Sequence, residues 1–178
     1  MEAEYIVDIS GYVKHLPIVE IGVGVNVAFL NLHGDVELTE HCAKKLAMLA
    51  KHADVVITAE SKGLQLAHCL ARNLGNSRYV VARKALKQYM KDGIFVTVKS
   101  ITTQAVQTLY ISKDDANYIS GKRVIIVDDV ISTGNSLDAL ESIIEKANGV
   151  VVQRLFVLAE GDAQKRTDIE FLAKIPLF

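Results

Sequence analysis

Two adjacent carboxylates, Asp128 and Asp129, follow the apolar run Val124-Ile125-Ile126-Val127 and precede Val130-Ile131 and a polar loop, Ser132-Thr133-Gly134-Asn135-Ser136. Ionised carboxylates only accept hydrogen bonds, which suits them to sugar hydroxyls or to a hard cation such as Mg²⁺ and unsuits them to a phosphate. The loop has the opposite character. Its backbone N–H groups, with the start of the helix that follows, favour an anion. Gly134 lets the backbone approach that anion closely, and Ser132, Thr133 and Ser136 add hydroxyl donors. A phosphate seat beside a diol or metal seat fits a phosphorylated sugar.

A second loop of this kind lies upstream. Ala59-Glu60-Ser61-Lys62-Gly63 follows the apolar run Val55-Val56-Ile57-Thr58 and opens a pattern of helical spacing through Leu64, Leu66, Ala67, Leu70 and Ala71, with Gly75 as its stop. A helix N-terminus with Lys62 makes another anion seat. The basic pair Arg83-Lys84 stands after the strand-like stretch Arg78–Ala82. Read from the residues alone, that pair has a solvated surface pair as its alternative, and Glu60 is equally a buried structural acid or an exposed loop charge.

Chemistry of this sort needs strands that end where the loops begin. Val124–Val127 reads as a buried parallel strand, with the acid pair at its C-terminal end. Leu137, Leu140, Ile143, Ile144 and Ala147 mark one face of the next helix, and Gly149 is placed to stop it. Open α/β sheets bind ligands outside the carboxyl ends of their strands. Upstream, residues 1–37 read as β-rich, with Gly22 and Gly24 as bends. Residues 39–52 read as an amphipathic helix capped by Thr39, burying Cys42, Leu46, Leu49 and Ala50. Ile94–Ile101 and Val106–Ile111 read as the arms of a hairpin joined by 102–105, with Ile94, Val96 and Val98 alternating against Phe95, Thr97 and Lys99. Residues 114–121 read as a polar connection, 150–158 as another apolar strand, 160–162 as a turn, and 169–171 as a final short strand. Strands and helices alternate through the middle of the chain, so the fold class is α/β with a central parallel sheet and flanking helices.

The segment 124–136 resembles the signature of the type I phosphoribosyltransferases, which bind 5-phosphoribosyl-1-pyrophosphate (PRPP): an apolar strand, two acids, a few variable positions, then Thr-Gly and a small residue. The resemblance extends over most of residues 25–160. It implies one phosphoribosyltransferase domain over 1–178, with a β-rich hood formed mainly by 1–37 with C-terminal residues, and a flexible lid over about 86–112. It implies that Asp128 and Asp129 hold the ribose hydroxyls and Mg²⁺, and that Ile131, Ser132, Thr133, Gly134, Asn135 and Ser136 wrap the 5′-phosphate. Ser61, Lys62 and Gly63 would hold pyrophosphate on a loop that in this family often carries a non-proline cis peptide, with Arg83 and Lys84 nearby. Glu60-Ser61-Lys62-Gly63 is similar to the Glu-Ala-Arg-Gly of adenine-type members. Phe29-Leu30-Asn31 is similar to a hood segment of bacterial xanthine phosphoribosyltransferases, in which the aromatic packs near the base and the Asn bonds its edge; Phe29 as core and Asn31 as a turn residue stand as the alternative. The lid residue is not singled out: Lys99, Gln104, Tyr110 and Lys113 are the candidates.

The implied activity is transfer of the phosphoribosyl group of PRPP to a purine base, adenine favoured, in purine salvage. Xanthine, hypoxanthine or guanine as the base, or a PRPP-sensing regulator without catalysis, are the alternatives. The 178 residues carry 20 Lys and Arg against 21 Asp and Glu, and a net charge of −1 is no footprint of a nucleic-acid surface. No apolar run reaches membrane-spanning length. Cys42 and Cys69 lack the spacing of a zinc site or redox pair and read as free core thiols, which suits a reducing cytoplasm. The expected partners are therefore PRPP and a purine base, with neither nucleic acid nor membrane, in a cytoplasmic homodimer.

Overall fold

The computed structural model describes residues 3–99 and 106–178. Its centre is a five-stranded sheet, parallel throughout, built from β4 (Val55–Ala59), β5 (Val80–Ala82), β8 (Arg123–Ile131), β9 (Val150–Glu160) and β10 (Glu170–Ile175) in the order β10-β9-β8-β4-β5. Before it comes a three-stranded antiparallel sheet of β1 (Glu4–Asp8), β2 (Val13–Gly22) and β3 (Val25–Ala28). β6 (Ile94–Lys99) and β7 (Val106–Ile111) form an antiparallel pair, joined to the foot of β5 by a backbone bridge between Arg83 and Tyr110. The helices are α1 (Val36–Leu49), α2 (Leu64–Asn73), α3 (Lys113–Ile119) and α4 (Asn135–Lys146).

The period of two along the strands divides the core. Val56, Ile125, Val127, Leu155 and Val157 face α1, α2 and the small antiparallel sheet, where Leu38, Leu46, Leu70, Val7 and Leu16 are buried with them. Val55, Ile57, Val124, Ile126 and Phe156 face α4 and the hairpin, packing on Leu140, Ile143, Ile144, Leu109 and Ile111. Both faces are covered, which is why the strands read as near-continuous apolar runs. In β6 the expected alternation holds: Ile94, Val96 and Val98 are half-buried, while Phe95, Thr97 and Lys99 are exposed.

Strand pairing opens a crevice. β8 pairs with β4 only as far as Ile126 opposite Ile57, yet stays paired with β9 through Ile131 opposite Ala159. Beyond Ile57 the two strands part. The order also reverses here, since β4 leads outward to β5 and β8 outward to β9 and β10. Such a switch point is where open α/β sheets take ligands.

Several local expectations need correction. α1 starts at Val36, not Thr39, because Asp35 takes the cap: its side chain accepts from the Leu38 N–H at 3.1 Å. Thr39 lies inside the first turn, buried, with its hydroxyl donating to the Asp35 carbonyl at 2.7 Å, and Leu49 ends the helix exposed. The stretch 114–121, read as a polar connection, is mostly α3, which starts at Lys113 and is capped by Ser112, whose hydroxyl accepts from the Asp115 N–H at 3.0 Å. β8 runs through the acid pair to Ile131, so the aspartates lie within the strand. The left-handed residue that ends α4 is Asn148, at φ 60°, and the N–H of Gly149 closes the turn on the Ile144 carbonyl at 2.9 Å. Gly149 is small for a packing reason: a β-carbon there would lie 2.5 Å from Ile119 Cγ2. The last strand is longer than expected, spanning Glu170–Ile175.

Candidate active site

The crevice between β4 and β8 is a cleft of about 340 Å³ lined by Glu60, Ser61, Lys62, Lys84, Asp128, Asp129, Ser132 and Ser136. A smaller cavity of about 160 Å³ adjoins it, lined by residues 130–137 with Leu140 and Phe156, and shares Asp128, Ser132 and Ser136 with the cleft. Residues far apart in sequence, the 60–62 loop, Lys84, the acid pair and the 132–136 loop, thus meet at one place.

The first wall is the loop after β4. The Glu60–Ser61 peptide is cis, the feature the resemblance implied for this loop. Glu60 anchors it from below: its carboxylate accepts from the Lys84 N–H at 2.6 Å and from Arg83 Nη1 at 3.0 Å. Burial works against that charge, and the Arg83 guanidinium with the Lys84 N–H outweighs it, holding the Glu60 carboxyl below its ordinary value. Arg83 is therefore committed to the loop's foot, and of the basic pair it is Lys84 that lines the cleft. Gly63 is buried and caps α2 with its backbone alone.

The second wall is the acid pair. Asp129 is 4% exposed, and its Oδ2 lies 3.0 Å from Lys62 Nζ without accepting a hydrogen bond of good geometry. Asp128 accepts the Asp129 N–H at 2.9 Å. Burial first, and the adjacent Asp129 charge second, push its carboxyl up to about 8. Two crowded acids beside one close ammonium cannot both ionise at low cost: further positive charge or hydroxyl donors in the cleft would favour the second ionisation. Among the described residues no group of three His, Cys, Asp or Glu side chains could hold a metal by itself. A hard cation here would need oxygen ligands from a substrate as well, which is how Mg²⁺ is commonly held in phosphate sites.

The third wall is the loop before α4. Gly134 has φ 87°, a left-handed conformation in which an L side chain is strained, and it forms the N-cap without a side-chain hydrogen bond. α2, which begins at the same cleft, also lacks a side-chain cap. α1 and α3, by contrast, are capped by Asp35 and Ser112. Among the described residues, the two helices that start at the cleft leave their first N–H groups without a side-chain acceptor, an arrangement that suits an anion. Ile131 is buried at the strand end, Ser132 and Thr133 are exposed, and Asn135 and Ser136 are half-buried.

Phe29 reaches this place from the end of β3. Its ring centroid lies 5.2 Å from Lys62 Nζ, a cation–π distance, and it is 38% exposed, so it is not a core residue. Asn31 makes a local turn, its Oδ1 accepting from the His33 N–H at 3.1 Å. Of the residues considered for the lid, Lys99 ends β6 exposed, Tyr110 packs its ring on Phe95 at 5.8 Å between centroids, and Lys113 is exposed in the first turn of α3. None of the three lines the cleft. Gln104 lies outside the described residues. One residue escaped the sequence reading: Gln107, on β7, whose carboxamide meets the Ser136 hydroxyl at 3.2 Å. Nothing in its neighbourhood in sequence marks it, because its partner is 29 positions away.

Comparison with known proteins places the fold and the family. The sequence matches the phosphoribosyl transferase domain family over residues 31–174. It is 31% identical over 144 residues, covering 78% of this chain and 73% of the relative, to a hypoxanthine/guanine phosphoribosyltransferase of Methanococcus voltae. It is 33% identical over 127 residues, covering 70% of this chain and 65% of the relative, to a xanthine phosphoribosyltransferase of Bifidobacterium adolescentis. The adenine phosphoribosyltransferase of Thermoanaerobacter pseudethanolicus superposes with a TM-score of 0.76 at 23% identity, over 90% of this chain and 95% of that one, which is a likeness of fold. With two uncapped helix starts facing an acid pair across the switch point of a parallel sheet, and a family match over most of its length, this chain belongs to the phosphoribosyltransferases.

Proposed function

We propose that the protein transfers the 5-phosphoribosyl group of PRPP to a purine base, with adenine the favoured base, releasing pyrophosphate and a nucleoside 5′-monophosphate in purine salvage. The observation that carries this reading is the pairing of two helix starts without side-chain caps, those of α2 and α4, at the cleft that holds Asp128 and Asp129. The 61–63 loop at the start of α2 takes the pyrophosphate, with Lys62 and Lys84 as its cations and Arg83 holding the loop through Glu60. The 132–136 loop at the start of α4 takes the 5′-phosphate. Between them the two carboxylates accept the ribose 2′- and 3′-hydroxyls. Phe29, 5.2 Å from Lys62 Nζ, is the residue assigned to pack against the base.

The reaction needs no covalent nucleophile. The protein's contribution is to fix the anomeric carbon between base and leaving group, converting a bimolecular encounter into an oriented one, and to keep out the water that would hydrolyse PRPP. Asp128 and Asp129 would hold Mg²⁺ together with substrate oxygens, and the cation would supply neutralisation of the leaving pyrophosphate. Lys62, now beside Asp129, is placed to exchange that contact for the pyrophosphate oxygens.

The relatives named for hypoxanthine/guanine and for xanthine keep the 6-oxopurines as a second reading for the base. The experiment is pyrophosphate release from PRPP and Mg²⁺ with adenine, hypoxanthine, guanine and xanthine in parallel. Turnover fastest with adenine is the expected result; turnover only with a 6-oxopurine would reassign the base, and none with any would overturn the proposal.

A further inference from the structure

We infer that Gln107 is a positioning residue that aims the Ser136 hydroxyl at an anion in the 132–136 loop, an assignment that rests on the proposed 5′-phosphate seat. The hairpin is fastened to α4 at both ends of the helix. Near the C-terminus of α4, Lys146 Nζ donates to the Phe95 carbonyl at 2.8 Å. At its N-terminus, Gln107 Nε2 stands 3.2 Å from Ser136 Oγ, and Gln107 Oε1 stands 3.3 Å from the same oxygen. Ser136 lines both the cleft and the adjoining cavity.

A hydroxyl has one proton and two acceptor lone pairs. Without an anion, the Ser136 proton is free to rest on Gln107 Oε1. An anion in the loop claims that proton, and the carboxamide must then act as donor through Nε2. The result is a chain from Gln107 N–H to Ser136 O–H to the anion, in which each bond polarises the next. A carboxamide can serve both states, because it carries a donor and an acceptor on one planar group. Glutamate has the same shape and only accepts. At position 107 it would hold the Ser136 proton away from the anion and add a negative charge beside it. Alanine would merely leave the hydroxyl free to turn.

Alanine, which removes the carboxamide without adding charge, therefore separates positioning from bracing. If Gln107 only braces the hairpin against α4, Gln107→Ala lowers the ligand-free midpoint and leaves ribose 5-phosphate affinity at the wild-type level. If it orients the hydroxyl, affinity falls in Gln107→Ala as well, and further in Gln107→Glu, which adds charge repulsion. The experiment titrates ribose 5-phosphate and, separately, pyrophosphate into wild type, Gln107→Ala and Gln107→Glu by calorimetry, with ligand-free thermal midpoints for each. We expect ribose 5-phosphate to bind about 3- to 10-fold more weakly to Gln107→Ala and about 30-fold or more weakly to Gln107→Glu. Pyrophosphate affinity should be unchanged, the midpoint of Gln107→Glu should stay close to wild type, and the KM for PRPP should rise with little change in kcat. Gln107→Ala binding ribose 5-phosphate as tightly as wild type would overturn the role of Gln107 alone. Wild type that fails to bind ribose 5-phosphate would overturn the phosphate reading of the loop and this assignment with it.

Discussion

Gly63 lies directly against Asp128: a β-carbon on residue 63 would stand 2.6 Å from Asp128 Oδ1, closer than real side chains approach. The backbone of one proposed anion seat is thus seated on the carboxylate of the other wall, with no atom between them.

The same β-carbon would stand 2.2 Å from Thr58 Oγ1, so Gly63→Ala should displace the loop, the acid, the Thr58 hydroxyl or all three. Overpacking of this kind costs about 1–3 kcal/mol of stability, and misplacement by about 1 Å can slow an oriented reaction about 100-fold. The expected outcome is a lowered melting temperature and a fall in kcat/KM for PRPP far beyond what the stability loss explains. Wild-type kinetics in Gly63→Ala would show that the contact is not part of the site.

Gly149→Ala is the matching control. Its β-carbon would crowd Ile119 Cγ2 at 2.5 Å and Ile144 Cγ2 at 2.9 Å, in the core below α4 and at the far end of that helix from the cleft. Stability should fall by about 1–3 kcal/mol, while the KM for PRPP of the folded fraction stays put. Denaturant unfolding beside steady-state kinetics reads both.

Asp128 gives the fold a pH signature. Its carboxyl is raised from 3.8 to about 8, so between those values the folded protein keeps a proton that the unfolded chain releases. Stability then falls as pH rises, from the unfolded value up through the folded one, and the loss is complete above about pH 8. Asp128→Asn removes this dependence. The ligand-free melting temperature of the variant should gain on wild type steadily from pH 5 to about pH 8; a difference constant with pH would contradict the raised carboxyl.

Lys62 bridges Asp129, at 3.0 Å, and the Phe29 ring, at 5.2 Å. Lys62→Ala should weaken pyrophosphate and PRPP binding by about 10- to 100-fold, the scale of a charge-assisted hydrogen bond, and weaken base binding less. Equal losses for pyrophosphate and base, measured by equilibrium titration, would count against the loop as a pyrophosphate seat.

Much of this architecture was legible because period and punctuation coincide. An apolar run ending in Asp128-Asp129, followed by Thr133-Gly134 and helical spacing from Leu137, leaves few alternatives to a strand, loop and helix, and the structure has them. What escaped was local competition and long-range contact. Asp35 and Thr39 are both good caps, and only packing decides that Thr39 faces inward. α3 is one seven-residue stretch with too few apolar positions to show a period, although Ser112 with Asp115 three residues on was a visible cap. The Gly63–Asp128 contact and the Gln107–Ser136 bond join segments 65 and 29 positions apart, which no local pattern encodes.

The most direct measurement is a crystal structure of the protein with PRPP and Mg²⁺. The account predicts the ribose hydroxyls on Asp128 and Asp129, the pyrophosphate against Ser61–Gly63 and the 5′-phosphate inside the 132–136 loop. PRPP bound elsewhere, with Asp129 still on Lys62 and both loops unfilled at saturating ligand, would contradict it.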